Sequence, residues 1–376
     1  MEKTLNEKME NVINPLLNLS DEELQNTLCP YGITPDAWDF TAEELRGAIK
    51  WERLLNVSID LSKFCNLDCP FCFTAWERAK EHKDALSFDD YKDMILKLKE
   101  AWTRTITIVW EWEPTLYPHL KDLLRFISEN GIKICLSTNW TILASNDKLL
   151  DLLKELNVTI CLKLNSFKEE IQDPLVGTNG YTKLRNKALD RLIQWWFNEW
   201  IPTRLSVNTI LLEPIYEEFP HIFEYCRENN IALISSLYIP NWRTENGEFH
   251  WQEAMKQGVS ENLFQTLTDE QIKNIVNIIN AYDTQHGITR SQNPAYISGM
   301  SCTQLLGFQI DNRGNIFSCP ARKDIDENWN IVDATPSNNI KTLLAKDLID
   351  IFNQSSIPWI YTWKCIYKAA NKSFEP

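Results

Sequence analysis

Cys65, Cys69 and Cys72 stand in the run CNLDCPFC, a C-x3-C-x2-C spacing placed just after an apolar stretch. Thiolates are the usual protein ligands of iron–sulfur clusters, and three of them on one short loop can hold three corners of a four-iron cubane. The fourth iron is then left without a protein ligand. A cluster built only to carry electrons normally has four cysteines, so this spacing points to a further molecule bound at the fourth iron, and so to catalysis. Zinc is the competing chemistry. It usually takes four Cys or His ligands in paired knuckles, yet no suitable fourth ligand lies near the loop. The histidines (His82, His119, His221, His250 and His286) form no metal-spaced pair.

The chain has 10 cysteines, which in a sequence without secretory features reads as metal or redox chemistry rather than a disulfide framework. Cys135 and Cys161 sit inside apolar runs and Cys226 in a helical pattern, so all three read as small buried hydrophobes. Cys29 has no partner by spacing. Cys302, Cys319 and Cys365 form a second set, the first two flanking GFQIDNRGNIFS, where Asn312-Arg313-Gly314-Asn315 reads as the turn of a β-hairpin. These cysteines either ligate a second cluster or staple a small domain, for instance through zinc.

The elements that must position these ligands follow from hydrophobic periodicity. Short β-rich runs at 54–60, 104–110, 132–138, 157–164, 203–212 and 231–239 alternate with helical patterns such as Ser87–Ala101, Tyr117–Glu129 and Tyr181–Gln194. The runs are almost continuously apolar, as in parallel strands covered on both faces. Six such units predict an α/β fold, a partial (β/α)6 TIM-like barrel. In that architecture the working face lies at the C-terminal ends of the strands, where the first cysteine loop falls. The expected organisation is an N-terminal helical extension over 1–50, with a helix start at Ser20-Asp21-Glu22-Glu23, a core over 51–286 and a small cluster-binding domain over 287–376.

The net charge of −14 argues against broad nucleic-acid or anionic-membrane binding. No apolar run is long enough to span a bilayer. The charged start MEKTLNEKME lacks the apolar core of a signal peptide, so a cytoplasmic location is expected.

The first cysteine loop, with the aromatic Phe71 before its third cysteine, resembles the signature of the radical S-adenosylmethionine (SAM) superfamily. VWEWEPTL (109–116) resembles that family's glycine-rich G-E-P segment, and LSTNW (136–140) its T-N-G segment. Leu164-Asn165-Ser166, followed by Asp173 and Gly177, resembles the fourth-strand region, and Asn208 a common fifth-strand asparagine. Together these matches extend over roughly residues 52–240. The resemblance implies a [4Fe–4S] cluster whose open iron binds the amino and carboxylate groups of SAM. It further implies reductive cleavage of SAM, hydrogen abstraction by the 5′-deoxyadenosyl radical, and an electron donor such as flavodoxin or ferredoxin. By the same resemblance, backbone near Trp112 and Glu113 would hold the methionyl amino group. Ser137, Asn139, Ser166 and Asn208 would contact ribose and carboxylate, and Phe71 would pack beside the adenine.

Cys302, Gly314 and Cys319, with Cys365 downstream, resemble the opening and close of the SPASM/twitch appendage. The intervening cysteines of a full SPASM domain are absent, which implies the shorter twitch form and one auxiliary iron–sulfur cluster.

The chain departs from the family where glycine belongs. Tryptophan stands in the G-E-P segment (Trp112), in the T-N-G segment (Trp140), and between a helix and a strand at Trp102, Trp196 and Trp200. Trp76, Trp242, Trp251 and Trp363 sit among polar neighbours where glycine would read naturally. With 11 glycines and 15 tryptophans in the chain, the expectation is that many of these positions are glycine in the natural protein, through a UGA codon read as glycine. Trp38 and Trp51 read as packed aromatics.

The sequence thus predicts a radical SAM enzyme acting on a peptide or a small metabolite. The alternative is a catalytically inactive iron–sulfur electron carrier or scaffold with a degenerate SAM site. A zinc-binding interaction module is the weakest reading.

Overall fold

A computed structural model describes residues 16–28, 32–61, 65–70, 72, 84–109, 113–238, 265–288, 306–318, 323–325, 331–333 and 335–360. The expectations placed on Cys29, Phe71, Trp112, Cys302, Cys319 and Cys365 lie outside them.

The six apolar runs become six parallel strands: β1 (Asn56–Ile59), β2 (Thr105–Ile108), β3 (Lys133–Thr138), β4 (Thr159–Lys163), β5 (Leu205–Leu211) and β6 (Ala232–Leu237). They pair in sequence order from β1 to β6. All four residues of β1 and of β2 are buried, as strands covered on both faces must be. The sheet continues past β1. β7 (Gln309–Ile310) pairs with β1 in parallel, β8 (Asn315–Phe317) returns antiparallel to β7, and β11 (Asn338–Asn339) pairs with β8. A separate ribbon joins β9 (Lys323–Ile325) to β10 (Ile331–Asp333). The turn expected at 312–315 is the β7–β8 connection, with Gly314 at φ +88°. Among the described residues no pairing joins β6 back to the far edge, so the barrel is partial.

The helices are α1 (Asp21–Leu28), α2 (Ala42–Ile49), α3 (Phe88–Glu100), α4 (Leu120–Glu129), α5 (Asp147–Glu155), α6 (Glu169–Val176), α7 (Tyr181–Gln194), α8 (Phe219–Glu228), α9 (Asp269–Gln285) and α10 (Asp347–Ile360). Ser20 and Glu23 cap α1 reciprocally. Capping boxes Thr41/Glu44, Ser87/Asp90 and Thr268/Gln271 start α2, α3 and α9. The apolar faces of α3 to α10 close one core with the sheet, while α1 and α2 pack in a second cluster with Leu55 and Leu306. Within the first of these Arg227 and Asp283 form a buried two-point ion pair, 2.8 and 2.9 Å, between α8 and α9.

The N-terminal segment fills the strand starts. Asp36 N–H donates to the Thr203 carbonyl at 2.7 Å, Ala37 N–H to Thr159 Oγ1 at 3.0 Å, and Trp38 Nε1 to Thr107 Oγ1 at 3.2 Å. Ala37 packs there against Cys135, Cys161 and Ile234. Cys135, Cys161 and Cys226 are all buried, as their apolar contexts predict.

Candidate functional site

The cysteine loop leaves the C-terminal end of β1 and is held in place by the end of α6. Asp68 N–H donates to the Val176 carbonyl at 3.1 Å. Leu67 is buried against Val176 and Tyr181, with Cys65 and Cys69 packed on the same group. Gly177 makes this close approach possible: a Cβ there would lie 2.6 Å from the Asp68 carbonyl oxygen, and its φ is +63°. Asp173, one turn earlier, accepts the Gly180 N–H at 2.5 Å and the Thr182 N–H at 2.8 Å, fixing the start of α7. Cys65, Cys69 and Cys72 are half-buried, which leaves their sulfurs both positioned and reachable. Cys72 N–H donates to the Cys69 carbonyl at 3.1 Å, tightening the loop that carries both thiols.

The ends of β2 and β3 meet the loop through Glu113 and Asn139. Glu113 is only 1% exposed. Its carboxylate accepts Asn139 N–H at 2.6 Å, Thr115 N–H at 3.0 Å, and the hydroxyls of Thr115 and Thr138. Burial pushes its pKa up, and those donors pull it back down. Asn139 in turn directs Nδ2 to Asn66 Oδ1 at 2.8 Å and to Cys65 Sγ at 3.7 Å. A carboxylate buried under β2 thus orients an amide that touches a cluster-loop thiol.

At β4 and β5 the sequence-predicted residues divide. Asn208 is half-buried, and its Oδ1 accepts Lys163 Nζ at 2.9 Å. Lys163, the last residue of β4, is half-buried overall. Burial around its ammonium drives the pKa down to about 8, while charge on Cys69, Cys161 and Cys72 acts upward. Lys163 therefore lies within electrostatic range of the cysteine loop. Ser166 is spoken for structurally: its hydroxyl donates to Glu218 and accepts Lys168 N–H at 2.9 Å. Ser137 hydrogen-bonds Cys161, beside the N-terminal segment. Of the described candidates, Glu113 and Asn139 meet the cysteine loop, and Asn208 binds Lys163. Lys163, Asn66 and Tyr181 were missed. Lys163 left one signal, a lone cation inside the apolar run VTICLKL.

Among the described residues no three Cys, His, Asp or Glu side chains gather around a single ion. Three thiols on one braced loop, with a neighbouring amide donor and a cation within electrostatic range, fit a [4Fe–4S] cluster with an anionic ligand beside it. No helix among the described residues is long and apolar enough to cross a membrane.

Residues 59–226 match the model described as the Radical SAM superfamily. A "Tungsten-containing aldehyde ferredoxin oxidoreductase cofactor-modifying protein" of Pyrococcus furiosus is 23% identical over 191 residues, 48% of this chain and 51% of that one. A "Probable GTP 3',8-cyclase" of Methanococcus maripaludis is 25% identical over 184 residues, 48% of this chain and 58% of that one. This chain spans about half the length of the curated relatives it matches. Among solved structures, SuiB of Streptococcus suis bound to S-adenosylmethionine aligns over 85% of this chain and 71% of that one, with 19% identity and TM-score 0.54. The same protein bound to its precursor peptide SuiA aligns over 83% of this chain and 69% of that one, with 20% identity and TM-score 0.50. At such identities the structural likeness speaks for the fold, and the fold is the α/β partial barrel expected from the strand pattern. Residues 59–226, which include the cysteine loop and β2 to β5, are thus the part of this chain that is similar to the radical SAM superfamily.

Proposed function

We propose that this protein is a radical SAM enzyme that cleaves SAM reductively and abstracts a hydrogen from a peptide or a small metabolite. One observation carries the reading. The three-thiol loop is pinned by Val176 and Gly177 at the C-terminal ends of parallel strands, with Asn139 on Cys65 and the Lys163 ammonium within electrostatic range. Cys65, Cys69 and Cys72 would hold the [4Fe–4S] cluster. That cluster, when bound, supplies the electron that breaks a carbon–sulfur bond of SAM and so generates the hydrogen-abstracting radical.

The chain's own residues bind and orient. Lys163, held by Asn208, offers a cation for the carboxylate of SAM, and the Glu113–Asn139 brace fixes the turn after β3 against the cluster loop. Phe71 and backbone near residue 112 belong to the same reading. Cys302, Cys319 and Cys365 would ligate an auxiliary cluster in a twitch-type domain, to which the hairpin between Cys302 and Cys319 contributes. The peptide option gains support from SuiB, solved with a precursor peptide, and the small-metabolite option from relatives named as GTP cyclases. Flavodoxin or ferredoxin would supply electrons, in the cytoplasm.

Anaerobic reconstitution with iron and sulfide tests this. The expected result is about eight irons per chain and release of 5′-deoxyadenosine on reduction with SAM. About four irons with the same release would remove the auxiliary cluster. Irons without SAM cleavage would mark an electron carrier or scaffold, and zinc alone would overturn the whole reading.

A further inference from the structure

We propose that positions 51, 102, 140 and 196 are glycine in the protein its own cell makes, each encoded by a UGA codon that the cell reads as glycine. The argument rests on backbone geometry and not on the radical SAM reading.

Among the described residues, six that are not glycine have positive φ: Trp51 (55°), Trp102 (63°), Trp140 (72°), Asn157 (52°), Trp196 (64°) and Asn230 (51°). Asparagine tolerates this region because its short amide bonds locally. Tryptophan has no such compensation, yet four of the six are tryptophan.

Equivalent turns show which residue belongs there. Helices α4, α6 and α9 end through Gly131, Gly177 and Gly287, and α5 and α8 through Asn157 and Asn230, all at positive φ. In each case the following N–H returns to the carbonyl five residues back, for example Val158 to Leu153 at 2.9 Å and Ile288 to Asp283 at 2.8 Å. This is the Schellman turn, whose left-handed position takes glycine first and asparagine second. Helices α2, α3 and α7 end in the same turn, with Glu52 to Gly47 at 2.8 Å, Thr103 to Leu98 at 3.0 Å and Phe197 to Leu192 at 3.1 Å. Their left-handed residues are Trp51, Trp102 and Trp196. One structural slot therefore holds glycine, asparagine or tryptophan, and only the last is out of place.

The side chains do not justify the strain. Trp102 is 69% exposed and Trp196 52%. A docking aromatic would account for exposure but needs no left-handed backbone. Trp140 is the reverse case, fully buried with its indole Nε1 lacking any hydrogen-bond acceptor among the described residues. Trp38 behaves as a genuine tryptophan, absent from the positive-φ set and bonded through Nε1 to Thr107.

Composition agrees. The chain has 11 glycines against 15 tryptophans in 376 residues, a glycine content well under the roughly 7% of an ordinary protein, with tryptophan in excess. Trp51, read from the sequence as a packed aromatic, does pack partly on the core, but its backbone assigns it to the glycine set. Where the radical SAM reading holds, the same decoding makes the turn after β3 Thr-Asn-Gly and puts glycine at 112, before Glu113, where a close backbone approach to ligand is expected.

Two measurements test the proposal. The first is the gene and the peptides: UGA codons at 51, 102, 140 and 196, with glycine at those positions in mass spectra of protein from the encoding organism, are expected. UGG codons there, or tryptophan in the peptides, overturn it. The second is thermal unfolding of the protein as written here. Trp102→Gly should raise the melting temperature by about 2 °C or more, whereas Trp38→Gly, which removes a packed and bonded indole, should lower it. A fall for Trp102→Gly equal to that for Trp38→Gly overturns the proposal.

Discussion

Glu113 gathers four donors on one buried carboxylate beside the cysteine loop. Two backbone N–H groups and two hydroxyls point at its carboxylate, so the group acts as an acceptor and a Gln substitute would turn an NH2 toward at least one donor. Charge-assisted bonds of this kind contribute about 1.5–3 kcal/mol. Glu113→Gln is expected to lose about that much stability and to weaken SAM binding several-fold by freeing the turn at Thr138–Asn139, as read by denaturant midpoint and equilibrium dialysis. The cysteines make a second residue-scale prediction. Burial pushes the Cys226 thiol up to about 12 and those of Cys135 and Cys161 upward as well, so all three stay protonated and inert at pH 8. Alkylation of the native cluster-free protein should label Cys65, Cys69 and Cys72 and spare these three until denaturant is added; early labelling of Cys161 would contradict the fold at β4.

At the scale of elements, the end of α6 braces the cysteine loop. It donates nothing to the chemistry, yet the Val176 carbonyl and the bare Cα of Gly177 set the height of the cysteine loop. Gly177→Ala places a Cβ against the Asp68 carbonyl and strains a left-handed residue, which costs about 1–2 kcal/mol for the backbone alone. The expected outcome is a marked loss of iron on reconstitution, with helical circular dichroism retained. Full iron loading in this variant would show that the loop is positioned by something other than α6.

Across the whole molecule, the N-terminal segment and the C-terminal strands both close onto the six-stranded core. Asp36–Trp38 fills the starts of the strands, and β7 extends the sheet at β1. Both add contacts over long sequence separations, so each contributes to the stability of the core. Removing residues 1–41 is expected to lower the melting temperature by several degrees and to open Cys135 and Cys161, which pack on Ala37, to alkylation without denaturant. An unchanged labelling pattern would show that the strand starts close without the segment.

The sequence alone determined the order and direction of the six strands, because nearly continuous apolar runs can be satisfied only in a sheet covered on both faces. It also determined the first cysteine loop, since ligands that lie within a few residues of one another are brought together by the chain itself. Which partners those ligands meet was decided by tertiary structure. Lys163 and Asn208 are 45 residues apart and Glu113 and Asn139 are 26 apart, so only the sheet register makes them neighbours. The same holds for Ser166, which reads as a SAM contact in sequence but is engaged by Glu218, 52 residues away. The tryptophans show the division most clearly. Their number and their polar surroundings were visible in the sequence, but only the backbone angle distinguishes Trp102 and Trp51 from Trp38, because left-handed conformation is a property of the turn and not of the residue type written into it.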